Sequence, residues 1–140
     1  HNVLCLSEAK GMDINMKKEV IATTKAPGAV GPYVQAAKAG EMVYCSGQLG
    51  LDPETGKLED GVEAQAHRSM KNLGAVLEKA GSDYGRIVKT TIFLADMDDF
   101  AKVNEVYKSY FDGDYPARSC VQVAKLPLGG LVEIECIACV

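Results

Sequence analysis

The last ten residues limit the fold more than any other segment. From Leu131 to Val140 the side chains alternate with period two, as on a strand. Val132, Ile134, Cys136, Ala138 and Val140 form a wholly apolar set. Leu131, Glu133, Glu135, Ile137 and Cys139 form the other, which mixes apolar side chains with two carboxylates. The first set needs a cover of helices. The second suits a subunit interface with a polar pocket at its edge, or a solvated antiparallel face. Leu131, Ile137 and Cys139 favour the interface, because they gain little in water.

The rest of the chain supplies two helices. Val62 to Ala80 carries Val62, Ala66, Met70, Leu73, Leu77 and Ala80 at three- and four-residue steps, with Asp60 as front cap and Gly81 as back cap. Asp98 to Phe111 carries Phe100, Val103, Tyr107 and Tyr110 on one face. Strands are expected over Glu19–Thr23, Met42–Ser46, Gln48–Leu51, Arg86–Ala95, Arg118–Lys125 and Leu131–Val140. Thr24–Tyr33 reads as a loop, Asp52–Gly56 as a turn, and Leu128-Gly129-Gly130 as the loop of a closing hairpin. The order is β-β-β-α-β-α-β-β, an α+β domain whose two helices cover one face of a mixed sheet. Residues 16–140 form a single domain on this reading. Residues 1–15 are set apart as an N-terminal extension or a cloning remnant.

Composition narrows the function classes. Nineteen acidic against 15 basic residues give a net charge of −4, which argues against a broad nucleic-acid footprint. No apolar run approaches the ~18 residues needed to cross a membrane. The five cysteines, an odd number, suggest reduced thiols and a cytoplasmic setting. Cys136-Ile137-Ala138-Cys139 has redox or metal spacing, but residues three apart on a strand face opposite sides, so two packed structural thiols are expected. With only His1 and His67 available, neither a zinc site nor a Cys–His pair is supported, and His67 reads as solvated.

The segment Tyr115 to Ala124 carries most of the candidate chemistry. Arg118, Cys120, Gln122 and Ala124 share a face beyond Pro116. A guanidinium held on a strand is a fork for a planar carboxylate or phosphate. Placed on consecutive hairpin strands, Arg118 and Glu133 would meet across the ladder, one binding a substrate carboxylate and the other handling a water proton. The competing reading has Arg118 neutralised by Glu133 or Glu135. Arg118 beside Cys120 would lower the thiol's pKa. Tyr33 ends a rigid Gly-Pro-Tyr loop, Gly47 marks close backbone approach, and Asn104 is a polar residue in an amphipathic helix.

Gly31-Pro32-Tyr33, Ser46-Gly47-Gln48, Val88-Lys89-Thr90-Thr91, Asp99-Phe100, Val103-Asn104, Pro116 to Val121, Leu126-Pro127 and Val132 to Glu135 occur in order at family-like spacing. Through them the chain resembles the RidA, or YjgF, family from about Lys18 to Val140. The resemblance implies a chorismate-mutase-like α+β fold and a homotrimer with sites in clefts between subunits. It implies hydrolysis of reactive 2-imino acids, released by pyridoxal-phosphate enzymes, to 2-keto acids and ammonia, with no cofactor and no metal. Carried over by motif, Arg118 binds the substrate carboxylate and Glu133 polarises the attacking water. The Cys120 main chain holds the ligand, with Tyr33, Gly47 and Asn104 lining the pocket. Gln122 and Leu128-Gly129-Gly130 depart from the family pattern, away from this chemistry. The rival readings are an endoribonuclease or translation inhibitor, and a non-catalytic small-acid sensor or holdase.

Overall fold

The computed structural model describes residues 17–140. The expected N-terminal extension, residues 1–15, lies outside them. Six strands and two helices run β1 (Glu19–Ile21), β2 (Ala36–Ala39), β3 (Met42–Leu49), α1 (Val62–Ala80), β4 (Ile87–Leu94), α2 (Phe100–Lys108), β5 (Ala117–Gln122) and β6 (Val132–Cys139). The sheet order is β1-β2-β3-β6-β4-β5. β4 and β5 are parallel, and every other pairing is antiparallel. The fold is α+β with a mixed sheet, as expected from sequence.

The letter order agrees with the sequence reading, but its members differ. β2 was not expected: Ala36-Ala37-Lys38-Ala39 has weak strand propensity and forms by pairing between β1 and β3. The two strands expected at Met42–Ser46 and Gln48–Leu51 are one strand, shifted in register between Cys45 and Gln48. At α1 the N-cap is Gly61 rather than Asp60, with no side-chain cap bond. Gly81 closes the helix in the left-handed conformation, as expected. α2 is shorter than predicted, because Met97–Asp99 forms a 3₁₀ turn capped by the Asp96 carboxylate.

The closing hairpin is the main correction. β6 does not pair with β5. It inserts between β3 and β4, and β5 lies at the far edge. β4, α2 and β5 form a crossover unit, which makes β5 parallel to β4. β4's other side is then open to β6, and residues 123–131 carry the chain across, with Pro127–Gly129 as a 3₁₀ turn.

α1 packs across β3 and β6, and α2 packs on α1. Met70, Leu73 and Leu77 meet Val43, Ile92, Ile134 and Val132, all at or near zero exposure. The opposite face bears Tyr44, Lys89, Thr91, Phe93, Glu133, Glu135 and Ile137, none of them buried. α1 also carries a buried polar stripe, Gln65, Ser69 and Asn72, that sequence reading missed. Gln65 Oε1 accepts from Leu131 N, and Asn72 Nδ2 donates to the carbonyls of Leu49 and Leu51. Together they fix the ends of β3 and β6 to the helix.

Gly50 permits this approach, since a Cβ there would lie 2.5 Å from Gln65 Cα. Backbone cannot yield as a flexible side chain can, so Gly50→Ala should destabilise the fold by about 1–3 kcal/mol. At Gly28 a Cβ meets nothing within 4 Å, and Gly28→Ala should be near neutral. Equilibrium denaturation of the two variants measures the contrast; equal midpoints would disprove the close-packing role of Gly50.

Candidate functional site

The predicted site residues fall into two groups. The first surrounds Arg118 on the edge strand β5. Arg118 is in register with the buried Thr90 and shares its helix-facing side. Its Nη1 donates to Asn104 Oδ1 of α2 at 2.7 Å. The guanidinium lies 5.4 Å from the Phe100 ring centroid and 5.1 Å from that of Tyr107. Tyr107 is fixed in turn by a 2.7 Å hydrogen bond shared with Thr90 Oγ1. Among the described residues Arg118 enters no salt bridge, so the competing reading, a neutralising pair with Glu133 or Glu135, does not hold. A cation placed beside two rings, with most of its donors unspent, is prepared for an incoming anion. It borders a cleft of about 390 Å³ lined by Asn104, Tyr107, Lys108, Tyr115, Pro116 and Arg118.

Cys120 follows on the same side, in register with the buried Ile92. Burial pushes its thiol pKa up, and the nearby Arg118 charge offsets this only in part. The expected lowering of the thiol pKa is therefore reversed. The neutral thiol is a poor nucleophile.

The second group surrounds Glu133 on the open face. Glu133 is in register with Phe93 of β4, between the buried Val132 and Ile134 of the opposite side. Gly47 lies at the irregular step of β3, where a Cβ would come within 2.8 Å of the Glu133 carboxylate. The glycine thus leaves the space that the carboxylate occupies. Burial, reinforced by the charge of Glu135, raises the Glu133 pKa above 4.5. Tyr33 belongs to a loop bound to the same part of β3. Ser46 N donates to Gln35 O at 2.9 Å, and Ser46 Oγ donates to Val34 O at 2.6 Å. Tyr33 itself is exposed.

Within one chain the two groups do not meet. Arg118 and Glu133 lie on opposite faces, with β4 between their strands. Two strand spacings and a three-residue offset place their Cα atoms roughly 14 Å apart. The expected meeting across a hairpin ladder fails for the same reason as the hairpin itself.

Of the other described cysteines, Cys45 and Cys136 are packed in the core. Cys45 and Cys136 face each other across β3 and β6, both buried, and their mutual hydrogen bond together with burial drives the Cys136 pKa upward. Cys139 is exposed, contrary to the expectation that it is packed. His67 is exposed and joins Tyr110 Oη through Nδ1 at 2.9 Å, tying α1 to the segment after α2. No group of three or more potential metal ligands occurs among the described residues.

The family model described as Endoribonuclease L-PSP matches residues 23–140. The mouse 2-iminobutanoate/2-iminopropanoate deaminase is 55% identical over 122 residues, 86% of this chain and 90% of that protein. Among solved structures, RidA from an Antarctic Psychrobacter is 50% identical with a TM-score of 0.85, covering 87% of this chain and 99% of that one. Escherichia coli TdcF with bound serine is 48% identical with a TM-score of 0.85, covering 87% and 98%.

The Gly47 niche makes a specific demand on Glu133. A methyl group at position 47 would displace the carboxylate outward rather than disturb backbone, because the contact is with the end of a flexible side chain. Gly47→Ala should therefore change stability by under about 1 kcal/mol. It should lower the Glu133 pKa toward its ordinary value by increasing hydration. Carboxyl-carbon NMR titration of both proteins reads the shift; an unchanged Glu133 titration would refute the niche.

Proposed function

The chain belongs to the Endoribonuclease L-PSP family, the RidA/YjgF family, and from that membership we propose that it is a 2-iminobutanoate/2-iminopropanoate deaminase. One observation carries the reading: a guanidinium held by an amide and two rings keeps donors free beside an open cleft. In this reading a substrate carboxylate takes those donors as a bidentate pair. The imine carbon is already electrophilic, so a weakly activated water suffices. Glu133 accepts a proton from that water as its oxygen adds to the carbon. Glu133 passes that proton to the nitrogen, the adduct's hydroxyl proton follows it, and the carbon–nitrogen bond breaks to leave ammonia and a 2-keto acid. Overall, one imine and one water give one keto acid and one ammonia. The Cys120 main chain, Tyr33, Gly47 and Asn104 line the ligand's surroundings, and Cys120 takes no covalent part.

Because Arg118 and Glu133 occupy opposite faces, this chemistry requires two copies of the chain. We assign the site to a cleft between subunits, with Arg118 from one and Glu133 from the next. The open face with Phe93, Ile137 and Tyr44 is the surface available for association. Three copies are the number that family membership favours. The four described cysteines are free thiols, which supports a reducing, cytoplasmic setting. No helix among the described residues is long and apolar enough to cross a membrane. The net charge of −4 weighs against a ribonuclease role, despite the family description.

A coupled assay supplies the test, with imine generated in situ by a threonine dehydratase and ketoacid formation followed with and without this protein. Arg118→Lys should lower kcat/KM roughly 10–150-fold while the chain stays folded, because a point cation cannot replace the planar fork. Full activity would remove Arg118 from the mechanism. In wild-type protein the acid limb of turnover should lie above pH 4.5, since the base acts ionised and its pKa is raised. Glu133→Gln should abolish most turnover and that limb together; a limb that persists would assign it to another group.

Mixing the two variants tests the shared site. If they are refolded together in equal amounts, random assembly places an intact arginine against an intact carboxylate in roughly a quarter of clefts. About that fraction of activity should return. No recovery in proven mixed oligomers would place both residues in one subunit's site.

A further inference from the structure

We propose that Gln35 is a positioning residue that sets the Tyr33 loop against the Gly47–Glu133 niche, a role that rests on the deaminase reading above. Gln35 is only 4% exposed, and its side-chain amide is used at both ends. Oε1 accepts from Thr23 N at 2.7 Å. Nε2 faces the carbonyls of Thr23, Ala26 and Pro27 at 3.0, 3.3 and 2.8 Å. Two amide hydrogens thus serve three acceptors, a load that only an amide or a cation could carry at this position.

The backbone of the same residue faces the other way. Its carbonyl accepts from Ser46 N, and the preceding carbonyl accepts from Ser46 Oγ. Ser46 adjoins Gly47, whose missing Cβ makes room for the Glu133 carboxylate. One residue therefore joins the start of the loop, its end and the β3 step beside Glu133.

Within one chain the loop has little else to fix it. Gly28 to Tyr33 are all exposed, and Val30 is 94% so. Its internal support includes a tight turn in which Tyr33 N donates to Gly31 O at 2.8 Å, and the buried Ala26. A segment with so few apolar contacts opens locally at low cost unless polar bonds restrain it. Gln35 supplies those bonds, and through them it sets where the Tyr33 ring stands relative to Glu133.

The test compares Gln35→Glu, Tyr33→Ala and the double variant in the coupled assay, with 2-ketobutanoate affinity measured in parallel. Glutamate keeps the size and an acceptor but loses the amide donors. Each single variant should raise KM about tenfold and weaken 2-ketobutanoate binding alike, with kcat within about twofold. The double variant should be no worse than the singles, because both act through one ring. A merely structural glutamine would lower the melting temperature of the folded protein and leave KM unchanged. That outcome, beside a Tyr33→Ala effect, overturns the proposal alone. A silent Tyr33→Ala removes Tyr33 from the site and this role of Gln35 with it. If wild-type protein shows no turnover, the deaminase reading fails, and ketoacid affinity carries the comparison for Gln35. Should Gln35→Glu not fold, Gln35→Met, of similar volume and uncharged, takes its place. Failure of both to fold makes Gln35 a folding determinant and overturns the positioning role.

Discussion

The structure depends on the insertion of β6 between β3 and β4. A central strand needs hydrogen-bonding partners on both edges and a dry cover on at least one face. Val132, Ile134, Cys136 and Ala138 provide the apolar side, and α1 covers it at almost no residual exposure. The odd-numbered positions are then committed to the opposite face. Glu133 and Glu135 stand there because any slip by one residue would put carboxylates under the helices. The position of the proposed base is thus a consequence of core burial.

The same logic shows what the sequence made legible. Periodicity of two in β6 and of three to four in α1 located the core and both of its layers. The alternation of β5 correctly grouped Arg118 with Cys120 and Gln122. Periodicity assigns a residue to a face, but it does not identify the neighbouring strand. Adjacent strands in sequence joined by glycines suggest a hairpin, and that inference failed because β6 takes the central place between β3 and β4 and leaves β5 at the edge. β2 was illegible for another reason. Ala36-Ala37-Lys38-Ala39 carries no pattern of its own and is strand only because both neighbours supply ladder bonds. Gln35, Gln65 and Asn72 were missed because an amide in a sequence gives no sign that it is buried.

Arg118 illustrates how surroundings set the work of a charge. A guanidinium paired with a carboxylate would be neutralised and inert toward an anionic ligand. An amide oxygen and two ring faces orient it without cancelling its charge. That charge also acts on Cys120, yet burial outweighs it and keeps the thiol protonated. Anion binding by Arg118 is supported, and nucleophilic attack by Cys120 is not.

In the proposed shared site, the separation of Arg118 and Glu133 would let a small chain hold opposite charges side by side. Within a single subunit, a guanidinium and a carboxylate on one face tend to close on each other as an ion pair. The fold prevents this by placing them on opposite sides of the sheet. Asn104, Phe100 and Tyr107 hold the first, and the Gly47 niche leaves room for the second. A neighbouring copy would bring the two together at a spacing set by the interface rather than by side-chain flexibility. Between them a substrate could be bound by its carboxylate at one end and meet water at the other. Association would then be a condition of the chemistry, since neither half of the site contains both groups.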